Sequence, residues 1–242
     1  MSTPSAVIVG VGAEQGLGAA LCRLLADKGY HVVIAGRTLE KIAKVSDGIK
    51  ASGGSAEAIE TDATDEAAVT RLFDHAFAPR NEVDPPDFIV FNAGINRPIG
   101  FRDVTAAEFE EFWRICCFGG FLVGREAARH LAPLGRGTVI FTGASASLRG
   151  KAGYAQFAAA KAGLRMISQS MAREFGPLGL HVAHTIIDGG IDGDRLRLRR
   201  PEVQTDSLLN IGAIAETYWH IHRQHPSAWT QEIDLRPYKE NF

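Results

Sequence analysis

The chain has 242 residues, of which 45% are hydrophobic and 22% are charged, and its formal net charge is −2 at pH 7. This length is ample for one α/β domain with a sizeable core, and the composition is that of an ordinary globular protein. The near-neutral charge excludes the strong basic field that attracts nucleic acid or an anionic membrane, so we expect neither as a partner.

Short apolar runs alternate with amphipathic stretches along most of the chain, which predicts alternating strands and helices. In chain order we predict a strand at residues 6–9, a helix at 18–28, a strand at 31–35, a helix at 39–51, a strand at 56–60, a helix at 66–78, a strand at 88–92, a long helix at 106–132, a strand at 138–142, a long helix at 153–175, a strand at 181–187 and a last helix around 211–222. Such alternation is typical of an α/β fold in which a doubly wound parallel β-sheet is flanked by helices on both faces. We expect one domain over residues 1–242.

The sequence gives no indication of export, a membrane or a metal. Residues 1–5 are polar and lack the features of a secretory signal, and no apolar run is long enough to span a bilayer. Cys22, Cys116 and Cys117 show neither metal-ligand spacing nor a disulfide framework, and the histidines show no metal-ligand pattern. We therefore predict a cytoplasmic protein without a metal site, in which the adjacent Cys116 and Cys117 are buried thiols.

A glycine-rich turn joins the first predicted strand to the first predicted helix. Glycine allows a tight turn, close approach of the backbone to a pyrophosphate and close packing of helix on strand. The helix that follows offers free N–H groups and a positive dipole end to phosphates. The turn therefore predicts a dinucleotide site of the Rossmann type, with these binding residues: Gly12, Gln15, Gly16, Leu17 and Gly18.

The spacing Gly-x-x-x-Gly-x-Gly resembles the short-chain dehydrogenase/reductase family, and further motifs match that family in order. Thr61-Asp62-Ala63 follows the third predicted strand, where the family's aspartate binds the adenine ring. Phe91-Asn92-Ala93-Gly94 resembles the family's Asn-Ala-Gly motif after the fourth strand. Asp188-Gly189-Gly190-Ile191 stands where the family has a Pro-Gly-x-Val turn beside the nicotinamide. The match runs from about residue 6 to about residue 191.

This resemblance implies a Rossmann-like fold, a nicotinamide dinucleotide, a small-molecule substrate and a homodimer or homotetramer. The long helices at 106–132 and 153–175 would then pack against their symmetry mates. A lid over the substrate is implied at about residues 190–210. The cofactor residues that the resemblance adds are Asp62, Ala63, Asn92, Ala93, Gly94, Lys161, Gly189 and Ile191.

The end of the second predicted strand favours NADP(H) over NAD(H). An acidic residue there would accept hydrogen bonds from the adenosine ribose of NAD(H). Gly36 supplies no carboxylate, and Arg37 can pair with a 2′-phosphate. Glu14 in the glycine turn can repel that phosphate if it points towards it, and Arg37 can also be a solvated surface arginine, so NAD(H) remains possible.

The expected catalytic set is incomplete. In the family, a tyrosine four residues before a lysine is the general acid, and the lysine and the nicotinamide's positive charge lower its pKa. Lys161 is present, but Phe157 occupies the tyrosine position, and a phenyl ring cannot donate a proton. The family's serine aligns with Ala144, and the asparagine that organises a water chain to the lysine aligns with Cys116. Only Lys161 is retained.

Three hypotheses stay open. In the first, the chain is an oxidoreductase whose proton donor has moved to Tyr154, one helical turn before Phe157. The spacing Tyr154-x6-Lys161 resembles the enoyl-thioester reductase branch of the superfamily, although Gly12, Gly16 and Gly18 follow the ordinary pattern. In the second, Ser145 or a water supplies the proton and the enzyme is slow. In the third, the chain binds NADP(H) without catalysis, as a sensor or an assembly subunit.

An arginine-rich stretch at residues 195–200 lies where the family's substrate lid is found. Its four arginines can clamp a carboxylate, phosphate or thioester headgroup, or they can be part of a solvated amphipathic segment. Phe157, in turn, can line the pocket beside the nicotinamide and favour an apolar part of the substrate.

Overall fold

A computed structural model describes residues 2–239 of the chain. The strands are β1 (Ser5–Val9), β2 (His31–Gly36), β3 (Ser55–Glu60), β4 (Phe88–Phe91), β5 (Thr138–Thr142), β6 (His181–Ile187), β7 (Ile191–Asp192), β8 (Leu209–Asn210) and β9 (Glu232–Leu235). The helices are α1 (Leu17–Asp27), α2 (Leu39–Ala51), α3 (Glu66–Phe77), α4 (Ala106–Trp113), α5 (Gly119–Leu131), α6 (Ala155–Phe175), α7 (Asp194–Arg197) and α8 (Ile211–His222).

Seven strands form one parallel sheet in the order β3-β2-β1-β4-β5-β6-β9, and β7 and β8 form a separate small sheet. The chain starts at the centre, winds out to β3, returns to β4 and winds out in the other direction. This confirms the predicted doubly wound, Rossmann-like architecture. The seventh strand, β9, was not predicted; it pairs with β6 through Glu232, which lies opposite His184.

Helices cover both faces of the sheet, and β1 shows how the sequence specifies this. Its successive side chains point to opposite faces. Ala6 and Ile8 pack in a core with residues of α1, α2 and α8, whereas Val7 and Val9 pack in a second core with residues of α3, α5 and α6. Because both faces are covered, the central strands are uninterrupted apolar runs. None of the helices within residues 2–239 is both long and apolar enough to cross a membrane.

The long helix predicted at residues 106–132 is continuous but not regular. A π-helical turn, Arg114–Phe118, lies between α4 and α5. At the start of α4, Thr105 and Glu108 form a reciprocal capping box that fixes the helix N-terminus. The other long helix, α6, begins at Ala155, two residues later than predicted, so Gly153 and Tyr154 precede it.

Candidate active site

The glycine turn brings the end of β1 against the end of β4. Gly10 has a φ of +94°, and a Cβ placed on it would collide with the backbone of Ala93. Asn92 donates from Nδ2 to the Gly10 carbonyl at 3.3 Å, and a Cβ on Gly18 would lie 3.2 Å from the same Nδ2. Only glycine allows these close approaches. The predicted Asn92 and Ala93 therefore adjoin the glycine turn directly.

The first turn of α1 has no side-chain cap, although the Gln15 N–H just before it donates to Asp194 Oδ2 at 3.0 Å. Gly16 is the N-cap of this helix, and the first turn, beginning at Leu17, contains no acidic residue. A Cβ on Gly12 would meet nothing within 4 Å among the described residues. The first N–H groups of a helix have no partner within it, and they carry the positive end of the dipole. These residues fit the pyrophosphate of a dinucleotide.

The ends of β2 and β3 carry the residues predicted for the adenosine end of the cofactor. A Cβ on Gly36 would collide with the Val11 carbonyl, so the strand exit has no side chain there. Arg37 is exposed and lines a surface cavity of about 340 Å³ together with Thr64, Arg114, Glu110 and Glu111. Asp62 is exposed, and its Oδ1 accepts hydrogen bonds from the N–H and hydroxyl of Thr64, each at 2.9 Å. Ala63 is buried beside it.

Lys161 is the buried cation of the site. Its side chain is only 5% exposed, and its Nζ donates to the Thr142 carbonyl at the end of β5 at 2.7 Å. Burial lowers the pKa of this amine, because desolvation disfavours the charged form. The Nζ lies 3.7 Å from the position that a Cβ on Gly94 would take. The predicted Gly94 and Lys161 are therefore neighbours at the carboxyl edge of the sheet, where α/β folds bind ligands.

Phe157 makes the position beside Lys161 apolar. Its ring is 8% exposed and packs in a small buried cluster, and its centroid lies 6.0 Å from Lys161 Nζ. Ala144, at the family's serine position, packs against the same cluster. Neither residue offers a proton. The buried members of the cluster are Phe112, Ile115, Cys116, Cys117, Phe157 and Ala160.

Cys116 takes part in backbone contacts from within the π-helical turn. The Ile95 N–H points at Cys116 Sγ at 3.5 Å, and the thiol lies 3.7 Å from the Ile95 carbonyl. The thiol thus bridges the π-helical turn to the loop after β4, one residue from Gly94. Cys116 and Cys117 are buried, as predicted, and Cys22 is buried as well; burial raises the pKa of the Cys117 thiol.

Tyr154 is placed differently from the prediction. It is the N-cap of α6, with φ −129° and ψ 23°, and so precedes the helix instead of lying one turn back within it. Its ring is half-buried against the cluster that contains Phe157, and Lys151 Nζ lies 6.0 Å from the ring centroid. Its hydroxyl has no hydrogen-bond partner within residues 2–239. The hydroxyl is therefore free to meet a ligand.

Ser145 is half-buried at the start of a single 3₁₀ turn, Ser145–Ser147. Its neighbour Ser147, which sequence reasoning did not select, is buried; its Oγ accepts from the Ala144 N–H at 3.2 Å and lies 3.1 Å from His184 Nε2. Burial, and next the charge of Lys161, lower the pKa of His184 to about 4. The histidine is therefore neutral near pH 7. In the sequence His184 is one of two histidines in a largely apolar strand, and a core histidine gives the same pattern.

The turn after β6 is closely packed. Gly189 has a φ of +151°, and a Cβ there would lie 2.7 Å from Pro237 Cδ. Asp188, which replaces the family's proline, is 3% exposed and accepts from Arg149 at 2.8 Å. Ile191 belongs to β7 and pairs with Leu209 of β8. The predicted Gly189 and Ile191 thus lead from the sheet edge directly into the predicted lid.

Residues 193–200, within the predicted lid at about residues 190–210 and called the lid segment below, contact the glycine turn. Gln15 donates its N–H to Asp194 Oδ2 at 3.0 Å, and its carbonyl accepts from the Asp194 N–H at 3.0 Å. Arg195, in α7, donates a hydrogen bond to the Gly94 carbonyl at 3.2 Å. Arg199, two residues after α7, donates one to the Asn96 carbonyl at 2.9 Å. The predicted cofactor residues Gln15 and Gly94, after β1 and β4, therefore both contact this arginine-rich segment.

A family model described as short chain dehydrogenase matches residues 6–202. The chain belongs to this family. Cis-4-hydroxycyclohexanecarboxylate dehydrogenase of Sinomonas cyclohexanicum is 30% identical over 230 residues, which are 88% of this chain and 91% of that protein. Gluconate 5-dehydrogenase of Gluconobacter oxydans is 30% identical over 171 residues, covering 71% of this chain and 66% of that one.

Solved structures show the same fold. A short-chain dehydrogenase from Rhodopseudomonas palustris, 36% identical, matches with a TM-score of 0.83 over 97% of this chain and 99% of that one. A gluconate 5-dehydrogenase from Burkholderia cenocepacia, in complex with NADP and tartrate, matches with a TM-score of 0.85 over 98% and 95% of the two chains. At 22% identity, this second likeness concerns the fold alone. Members of the short-chain dehydrogenase family are NAD(P)-dependent oxidoreductases, and that class is the one to which this chain belongs.

Proposed function

We propose that this protein is an NADP(H)-dependent oxidoreductase of the short-chain dehydrogenase type, acting on a small carbonyl or alcohol, or on an enoyl compound, with a degenerate catalytic set. One observation carries the proposal. Lys161 is buried, holds the Thr142 carbonyl at 2.7 Å and lies beside Gly94 at the sheet edge. Burying a lysine without a carboxylate partner costs free energy, because the ammonium group loses its hydration. A purely structural role therefore does not explain a lysine at this position.

The residues divide the chemistry among them. A bound nicotinamide would supply or accept the hydride. Lys161 would hold the nicotinamide ribose and place positive charge near the reacting oxygen, where negative charge develops during carbonyl reduction. Tyr154 is the proposed proton donor, because its hydroxyl has no partner within residues 2–239 and its ring borders the cluster beside Lys161. Ser145, or a water, is the alternative donor.

The proposed preference for NADP(H) rests on Arg37. It is exposed at the exit of β2, and within residues 2–239 no carboxylate pairs with it. Glu110 and Glu111 line the same cavity and oppose a phosphate, whereas Arg114 favours one. The cofactor site proposed as a whole comprises Gly12, Gln15, Gly16, Leu17, Gly18, Arg37, Asp62, Ala63, Asn92, Ala93, Gly94, Lys161, Gly189 and Ile191.

The test is a hydride-transfer assay on the full chain with NADPH and NADH, followed by cofactor absorbance. The panel contains aldehydes, ketones and enoyl thioesters, and in the oxidative direction it includes cis-4-hydroxycyclohexanecarboxylate and gluconate, which give two relatives their names. Turnover with NADPH that exceeds turnover with NADH supports the proposal. Tight NADPH binding with no turnover across the panel contradicts it.

The second candidate is a non-catalytic NADP(H)-binding protein, a sensor or an assembly subunit. Phe157 and Ala144 favour it, because the positions that supply the family's proton donor carry no hydroxyl. Lys161→Met separates the two functions. If the protein is an enzyme, this variant should lower the turnover rate more than the affinity for NADPH. If it only binds the cofactor, the variant can lower only the affinity.

We also propose one domain over residues 1–242, in a homodimer or homotetramer. A groove of about 390 Å³ on the outer side of α5 and α6 is lined by Phe121, Ala128, Ile167, Met171 and Phe175, among others. A second copy of the chain would cover these apolar side chains. In light scattering at micromolar concentration we expect two or four times the chain mass of 26.1 kDa, and a monomer would contradict the assembly.

The cytoplasmic setting stays a prediction.

A further inference from the structure

The four arginines of the lid segment fall into two classes in the structure. Arg197 binds Asp192 at 2.6 Å, and Arg200 lies 3.5 Å from Glu202. Arg195 and Arg199, in contrast, have no carboxylate partner among residues 2–239. Arg195 and Arg199 are four residues apart, so they lie on one side of the short helix α7 and the turn that continues it.

Arg195 and Arg199 both reach over the loop that follows β4. Within the described chain, the only hydrogen bonds of their guanidinium groups go to the carbonyls of Gly94 and Asn96, at 3.2 Å and 2.9 Å. Gly94 is the residue next to Lys161 Nζ. The two guanidinium groups are therefore held at the edge of the site where we propose that hydride transfer takes place.

The local charge balance leaves both guanidinium groups in excess. Nearby lid carboxylates are already engaged, since Asp192 binds Arg197 and Asp194 accepts from the Gln15 N–H. Arg195 is also close enough to Arg199 that, after desolvation, the second positive charge lowers the pKa of the first. Both arginines are exposed, and two like charges held close together are stabilised by an anion that binds between them.

We propose that Arg195 and Arg199 form the binding site for a carboxylate group on the substrate, so that the protein acts on small carboxylic acids bearing the reacting hydroxyl, ketone or enoyl group elsewhere in the molecule. Each guanidinium has five N–H donors in a fixed fork, and the bonds to the backbone carbonyls use one nitrogen of each. The remaining donors suit the two oxygens of a carboxylate. This proposal specifies the substrate class of the proposed function. The reaction on the bound acid rests on that function, whereas carboxylate binding by the two arginines does not.

Anion binding is measured directly, without turnover. Isothermal titration of the full chain, free and saturated with NADP⁺, uses cyclohexanecarboxylate and benzoate against the neutral cyclohexanecarboxamide and benzamide. We expect each acid to bind more tightly than its amide by about tenfold or more, the worth of one charge-assisted hydrogen bond. Arg195→Gln and Arg199→Gln should each remove most of that ratio. Arg200→Gln, an exposed arginine already paired with Glu202, is the matched control and should leave the ratio unchanged.

Three results would overturn the proposal. Equal affinity of the wild-type chain for acids and amides would show no carboxylate site. Equal loss of acid and amide affinity in the variants would show that the arginines only hold the lid closed. A parallel loss of NADPH affinity, or competition by inorganic phosphate at the same concentration, would assign them to a phosphate group. Because binding is read without hydride transfer, an inactive chain that still binds acids through these arginines would contradict the proposed function and leave this assignment standing.

Discussion

Replacement of Tyr154 by phenylalanine tests the relocated proton donor most directly. The structure predicts almost no effect on folding. The ring is half-buried and would keep its packing against the Phe157 cluster, and the hydroxyl that is removed has no partner within residues 2–239. A surface change of this kind alters the free energy of unfolding by about 0.5 kcal/mol or less. Any large loss of activity therefore reports on catalysis.

The expected catalytic loss is much larger than the loss of stability. A positioned general acid contributes about 10²–10⁴-fold to a proton-coupled step. At 1.36 kcal/mol per tenfold, that corresponds to roughly 2.7–5.4 kcal/mol of barrier. The measurement is single-turnover oxidation of bound NADPH, with the best substrate of the panel, because product release then does not mask the chemical step.

The control is Tyr238→Phe, which makes the same chemical change at a tyrosine that is 83% exposed. It should keep full activity. If Tyr154→Phe also keeps full activity on a substrate that is turned over quickly, the relocated-donor hypothesis is wrong. Ser145 or a water then becomes the leading donor, and Ser145→Ala is the next variant to measure.

Three further predictions follow from the site and its surroundings. Arg37→Ala should weaken NADPH binding by at least about tenfold while changing NADH binding little, since a charge-assisted contact is worth roughly 1.5–3 kcal/mol; equal weakening of both cofactors in a fluorescence titration removes the basis for the preference. Phe157→Tyr combined with Ala144→Ser should raise the rate of ketone reduction above wild type, and an unchanged rate would show that the scaffold lacks more than these two hydroxyls. Burial, followed by the charge of Lys161, lowers the pKa of His184 from 6.5 to about 4, so the unfolded chain binds more protons between those values. Urea denaturation should therefore show stability falling by about 2 kcal/mol from pH 7 to pH 5 on account of this residue, and His184→Asn should reduce that fall.

Most of the sheet was predictable because its central strands are buried on both faces. Six of its seven strands were predicted with bounds that differ from the observed ones by about a residue, and five of these are largely apolar; the sixth, β3, reads Ser-Ala-Glu-Ala-Ile-Glu and is only partly buried. The exception, β9, reads Glu-Ile-Asp-Leu and is only partly buried at the edge of the sheet. Its position depends on distant contacts: pairing with β6, and the ion pair of Arg165 with Glu232 at 2.5 Å. Nothing in a window of four residues encodes those contacts.

The backbone geometry of the glycine turn was more predictable than the arrangement of the side chains around Lys161. Of the motif glycines, Gly16 and Gly18 lie where a Cβ would be crowded, whereas a Cβ on Gly12 would meet nothing within 4 Å among the described residues. The π-helical turn was not predictable, because the apolar pattern of one long helix continues through it. Cys116 could be aligned with the family's asparagine, but its contact with the Ile95 backbone appears only in three dimensions.

The changes at Phe157 and Ala144 are best understood together. Both side chains pack in one cluster, so an isolated hydroxyl at either position would be partly buried in apolar surroundings. A buried hydroxyl without a partner costs about 1–3 kcal/mol. The wild-type chain, with Phe157 and Ala144, should therefore be more stable than either single variant, Phe157→Tyr or Ala144→Ser. Phe157→Tyr alone should therefore lose stability and gain little rate, whereas the added Ala144→Ser supplies a possible partner and recovers both. A double-mutant cycle measures this coupling: if the rate and stability effects of the two substitutions simply add, the two positions act independently, and the loss of the tyrosine and the loss of the serine need separate explanations.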